Sequence, residues 1–112
     1  MAVKCDEYNH VGVITVEGDF TADNAAALRK LAEDRMVGRQ LADFVVDLEK
    51  CSFIDSEGLE TLLWLKRRCE ELFGSAKLAT IDENCKKILE ITRLEHRFDC
   101  RKDVPGALKT MR

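Results

Sequence analysis

Scarcities narrow this sequence before any motif is read. It contains one proline, one tryptophan and one tyrosine, and its six glycines are scattered. A glycine-rich phosphate loop needs several glycines within one short turn, so that class of nucleotide site is not expected. There are two histidines, and the five cysteines (Cys5, Cys51, Cys69, Cys85 and Cys100) are odd in number with no C-x-x-C pair. Neither a zinc centre nor a disulfide framework fits that pattern, and reduced, mostly buried thiols in a cytoplasmic protein are expected. No apolar run approaches the ~20 residues of a membrane span, so no direct membrane insertion is expected. The start, Met1-Ala2-Val3-Lys4-Cys5-Asp6, lacks an apolar signal core, so secretion is not expected either. The net charge of −3 and the absence of a Lys/Arg block argue against a nucleic-acid partner.

What is present is ordinary for a globular chain. Hydrophobic residues make up 46% and charged residues 35% of 112 positions, enough for one modest core and a single domain over 1–112. Residues 3–17 alternate around Tyr8-Asn9-His10 and predict a hairpin. Thr21, with Asp23 in the first turn, predicts the cap of a helix over Ala22 to Arg35, which Gly38 closes. Phe44 to Leu48 is apolar except for Asp47, the pattern of a strand buried on both faces. A second helix is predicted from Glu57 to about Phe73, stopped by Gly74. Then follow a strand over Ala76 to Ile81, a helix from Asp82 through Ile91, a short edge strand near Phe98-Asp99-Cys100, and a last helix after Asp103-Val104-Pro105. This order predicts an α/β fold with a mixed, mainly parallel sheet, an N-terminal hairpin and about four helices.

The organising stretch joins the central strand to the second helix through Cys51-Ser52-Phe53-Ile54-Asp55-Ser56. It places the Ser56 hydroxyl at a helix N-terminus, beside unpaired N–H groups and the positive end of the macrodipole. Two roles fit: a plain N-cap, or an acceptor for a phosphate that the same N–H groups would welcome. On the second helix, Leu62, Leu65, Cys69, Leu72 and Phe73 share the inward side, with Leu59 at its edge. Trp64 points away from them, with Glu60, Arg67 and Glu71, and is either covered by a loop or part of a binding surface.

Catalytic alternatives are thin. Ile54-Asp55-Ser56-Glu57-Gly58 has Ile54 where a nucleophile elbow needs its first glycine, and His10 and His96 fall in surface-like contexts. A phospho-accepting Asp47 would need acids such as Asp6-Glu7 and a lysine such as Lys77 around it. No catalytic residue and no cofactor is assigned.

The run Val45-Val46-Asp47-Leu48 through Phe53-Ile54-Asp55-Ser56-Glu57-Gly58-Leu59 resembles the core signature of the STAS family, the sulfate transporter and anti-sigma factor antagonist domains. The likeness extends to Val13 through Gly18-Asp19-Phe20, and to Ala76-Lys77-Leu78, Cys85, Ile88-Leu89, Ile91-Thr92-Arg93-Leu94 and Phe98. For free-standing members the resemblance implies a non-enzymatic partner switch. The unphosphorylated antagonist binds an anti-sigma factor with serine kinase activity, phosphorylation of the serine after the signature aspartate releases it, and a PP2C-type phosphatase resets it. That serine is Ser56 and that aspartate Asp55. The implied contact surface comprises Thr21, Asp23, Asp55, Ser56, Glu57, Gly58, Glu60, Trp64 and Arg67. The other role the resemblance implies is an unphosphorylated scaffold module of a lipid-transport ATPase or a stress-sensing assembly. The chain departs from the family at Glu57, where a second Ser or Thr is common, at Thr21, where an acid often stands, and at Arg93, in place of a helix-ending glycine.

Overall fold

The computed structural model describes residues 3–111, so Met1, Ala2 and Arg112, which the single-domain expectation includes, lie outside the described residues. The chain runs β1 (Val3–Tyr8), β2 (Val11–Glu17), α1 (Ala22–Gly38), β3 (Phe44–Lys50), α2 (Ser56–Glu71), β4 (Ala76–Ala79), α3 (Glu83–Ile91), β5 (Asp99–Arg101) and α4 (Val104–Lys109). The sheet order is β1-β2-β3-β4-β5, with β1 antiparallel to β2 and the other pairs parallel. The α/β fold expected from the pattern is therefore the one found. Asn9 and His10 turn the hairpin with φ of 51° and 66°, the two positive values that a tight two-residue hairpin turn requires.

Alternation along the strands divides the core. Ile14, Val16, Phe44, Val46, Leu48 and Leu78 pack under α1, α2 and α3 with Leu28, Leu62, Leu65 and Leu89. Val11, Val13, Val45 and Ala79 face the opposite way and are covered by Ala107 of α4 with Val104, Leu108 and Met111. Because both faces of the sheet are covered, β3 carries an almost unbroken apolar run.

The helix ends differ from expectation in an instructive way. Gly38 is the last residue of α1, and Gln40 (φ 58°) takes the left-handed position. Likewise α2 ends at Glu71, and Phe73 (φ 66°), not Gly74, takes the left-handed turn, with Gly74 N–H donating to the Cys69 carbonyl at 2.7 Å. Leu72 and Phe73 leave the inward side as a result, Phe73 being 98% exposed. Arg93 behaves as its departure from glycine implies: φ is 62°, and the next residue, Leu94, donates to the Leu89 carbonyl at 2.8 Å.

Candidate functional site

The parallel strands β2 and β3 end at the same edge of the sheet, and α1, α2 and α3 all start there. Two loops are stitched together between them. Phe20 N–H donates to the Phe53 carbonyl at 2.8 Å, and Asp55 N–H donates to the Phe20 carbonyl at 3.2 Å, making a short parallel bridge between Phe20 and Ile54. The start of α1 is thereby held beside the start of α2, which brings Thr21 and Asp23 to the Ser56 end of the molecule. Thr21 is the residue before α1, but its hydroxyl makes no capping bond; its carbonyl accepts from Ala25 N–H at 2.8 Å.

Asp55, not Ser56, caps α2. Its Oδ1 accepts from Gly58 N–H at 3.0 Å and its backbone carbonyl accepts from Leu59 N–H at 2.9 Å. Ser56 is the first helical residue, exposed, and its hydroxyl has no hydrogen-bond partner among the described residues. The plain-cap role is thus already filled by its neighbour. Two N–H groups of the first turn, those of Ser56 and Glu57, stay free of intrahelical partners, as helix starts dictate. Glu57 is exposed beside them, and Phe53, 46% exposed, flanks the same loop. Gly58, counted among contact residues by resemblance, is buried, so its role is to let α2 approach the Phe20 carbonyl rather than to touch a partner.

From Ser56 one stripe runs down α2 through Glu60, Leu63, Trp64 and Arg67, residues four, seven, eight and eleven positions on. At the helical rise it is about 16 Å long. Its lower part lines a groove of about 370 Å³ formed by Arg29, Glu60, Leu63, Trp64 and Arg67. Glu60 and Arg67 are exposed, and neither forms an ion pair among the described residues. Trp64 differs from the outward-pointing residue that the helical wheel implies. It is half-buried, touches the main core, and lies under the Arg29 guanidinium, whose Cζ is 5.3 Å from the ring centroid. The cover is a helix, α1, rather than a loop. Arg29 also donates Nε–H to Thr61 Oγ1 at 3.2 Å, and Thr61 is the only fully buried polar side chain among the described residues.

Arg29 and Thr61 carry no signal in sequence, because their relation exists only once α1 packs on α2. Replacing Arg29 by Ala should cost about 1–2 kcal/mol, from the lost guanidinium–ring contact and a buried hydroxyl left without its donor. Urea unfolding followed by the fluorescence of Trp64 measures this directly. Arg29→Lys should recover only part of the loss, since an ammonium does not reproduce the planar fork.

The third helix start closes this end of the molecule. Asp82 Oδ1 accepts from Cys85 N–H at 2.8 Å, and that bond, aided by the Ser52 hydroxyl, holds the Asp82 carboxyl below the usual range. The loop before Ser56 is therefore tied to α3 as well as to Phe20.

The catalytic alternatives find no assembled site. The Asp47 carboxylate accepts from Glu49 N–H at 3.1 Å, while the Lys77 ammonium is paired with Asp99 at 2.5 Å and sits in register with Val45 rather than Asp47. Asp6 is on β1, separated from β3 by β2. His10 lies in the hairpin turn 3.8 Å from Glu7, and His96 is exposed after α3. No group of three or more His, Cys, Asp or Glu side chains is arranged to hold a metal among the described residues. No helix among them is long and apolar enough to cross a membrane.

A family model described as the STAS domain matches residues 2–107. Among solved structures, a candidate anti-sigma factor antagonist from Thermotoga maritima superposes with a TM-score of 0.88 at 16% identity, covering 97% of this chain and 93% of that one. The anti-sigma factor antagonist SpoIIAA in its unphosphorylated form gives 0.76 at 17% identity, covering 97% and 96%. The phosphorylated form of SpoIIAA, a Bacillus cell fate determinant, gives 0.78 at 18% identity, covering 99% and 100%. At such identities the likeness is one of fold.

Proposed function

The chain belongs to the STAS domain family, and on that premise we propose that it is an anti-sigma factor antagonist working as a partner switch, with Ser56 as the switched residue. The observation that carries this reading is the state of Ser56: an exposed, unpartnered hydroxyl on the first residue of a helix whose cap is supplied by Asp55. A serine free of structural duty, at the positive end of a helix, can accept a phosphoryl group without loss of the cap. The phosphorylated form of SpoIIAA, a structure of the same fold, is in keeping with it.

The partner is an anti-sigma factor with serine kinase activity, and the Ser56 stripe of α2 with the start of α1 is the contact surface. The neutral hydroxyl sits at this interface in the bound state. Phosphorylation adds about −1.5 to −2 charges. Inside the free protein that charge meets the Ser56 and Glu57 N–H groups and the α2 dipole, so the fold tolerates it. Inside the interface the same charge must be desolvated next to the carboxylates of Asp55 and Glu57, and the complex is lost. A PP2C-type phosphatase removes the group and restores binding. The protein itself performs no catalysis, uses no cofactor and acts in the cytoplasm.

Affinity capture from host lysate with wild type, Ser56→Ala and Ser56→Asp as baits tests this. Wild type and Ser56→Ala should retain a kinase-type partner, and Ser56→Asp should bind it at least about tenfold more weakly, a difference of ~1.4 kcal/mol. Equal retention by all three baits overturns the switch. A transport ATPase or permease among the equally retained proteins would identify a constitutive scaffold module instead.

A further inference from the structure

Beneath the loop that leads to Ser56 lie two thiols the partner switch does not use. Cys51 follows the end of β3, and Cys85 occupies the first turn of α3; both are fully buried. Cys85 Sγ donates to the Cys51 carbonyl at 3.2 Å and Cys51 Sγ donates to the Phe53 carbonyl at 3.3 Å, so the Cys85 sulfur rests directly against residue 51. The residues flanking both thiols reach the surface. Lys50, Ser52 and Phe53 beside Cys51 are exposed, as are Glu83, Asn84 and Lys86 around Cys85. Thirty-four positions separate the two residues, so a bond between them would close a long loop spanning all of α2.

We propose that Cys51 and Cys85 form a peroxide-sensitive dithiol, whose oxidation to an intrachain disulfide ties the Ser56 loop to the first turn of α3. The electronic asymmetry of the pair sets the order of events. Contact with the Cys85 side chain holds the Cys51 thiol below its ordinary value, while the same contact and burial push Cys85 up. Cys51 therefore supplies the thiolate. Its sulfur attacks one oxygen of hydrogen peroxide, the O–O bond breaks, and the departing hydroxide takes a proton to become water, leaving a Cys51 sulfenic acid. Cys85 sulfur then attacks Cys51 sulfur, the S–O bond breaks, and the hydroxyl leaves as water with the Cys85 proton. Two thiols lose two electrons and two protons, and one peroxide is reduced to two waters. The remaining thiols lack such a partner: Cys5 on β1 donates to the adjacent Asp6 carbonyl, Cys69 lies on the buried face of α2, where burial pushes it up to about 12, and Cys100 is exposed on β5.

The test uses the reduced, full-length chain and needs no binding partner, so its outcome is independent of the switch at Ser56. The protein is treated with hydrogen peroxide, free thiols are alkylated, and unreduced peptides are mapped by mass spectrometry. A linked Cys51–Cys85 peptide lighter by two hydrogens should dominate, although Cys100 is the most accessible thiol. The oxidised protein should melt roughly 10 °C higher, reversibly on addition of dithiothreitol, because the disulfide restricts the unfolded chain. Cys100→Ser should leave the yield unchanged. In Cys85→Ala, Cys51 should stop at a sulfenic acid that a cyclic dione traps. Oxidation confined to Cys100 with Cys51 and Cys85 still alkylated overturns the proposal, as does a linked species with a lowered Tm.

Discussion

Gly58→Ala should destabilise the protein by about 2 kcal/mol and weaken partner binding beyond what the stability loss explains. A Cβ at this position would stand 2.4 Å from the Phe20 carbonyl oxygen and 2.8 Å from Ile54 Cγ2. The nearest obstacle is backbone and cannot rotate away. Phe20 is held on both sides of its peptide, by Phe53 and by Asp55, so α2 must yield. Overpacking of this kind costs about 3 kcal/mol at the upper end of the usual range, and alanine returns about 1 kcal/mol through its better helix propensity. Moving the first turn of α2 also strains the Asp55 cap and shifts Ser56 relative to Thr21 and Asp23. Denaturant unfolding measures the first effect. Affinity for the partner under fully folded conditions measures the second. Unchanged or increased stability would show that the start of α2 is not seated against Phe20.

At the other end of the same helix, Gly74→Ala should cost about 3 kcal/mol and leave binding by the folded fraction intact. Here the added Cβ would lie 2.0 Å from the Ala42 carbonyl oxygen, 2.5 Å from its carbon and 2.7 Å from its Cβ. The approach is locked by neighbouring bonds: Asp43 Oδ1 accepts from Ser75 N–H at 2.9 Å, and Phe44 N–H donates to the Ser75 carbonyl at 3.0 Å. Residue 74 lies outside α2, so no gain in helix propensity offsets the clash. Ser56 is about 25 Å away along the helix axis, which makes this variant the control for Gly58→Ala. If both variants lose partner affinity equally when folded, the first turn of α2 has no special standing.

The sequence conveyed much of this architecture because several signals agreed locally. Alternation around Asn9-His10 marked the hairpin, a doubly buried run marked β3, and Asp82 and Asp103 marked two helix starts; each of these two carboxylates accepts from the backbone N–H three residues on. The left-handed turn at Arg93 was implied by the missing glycine and is present. The stripe Ser56, Glu60, Trp64 and Arg67 follows from helical spacing alone. Boundaries were less legible. Gly74 was expected to supply the left-handed turn after α2, yet Phe73 takes it, because Gly74 is needed one residue later for contact with Ala42.

By itself, then, the sequence determined the order of elements, the mainly parallel sheet and the placing of Ser56 at a helix start, since these depend on contacts within a few residues or on period. Tertiary structure decided everything that depends on which helix meets which. Asp55 rather than Ser56 became the cap because the Phe20 bridge sets the approach of the chain into α2. Trp64 became half-buried because α1 carries Arg29 across its ring, and Cys51 met Cys85 because α3 begins against the end of β3. Contacts between residues more than thirty positions apart leave no period in a sequence, and only the packed fold brings them within bonding distance.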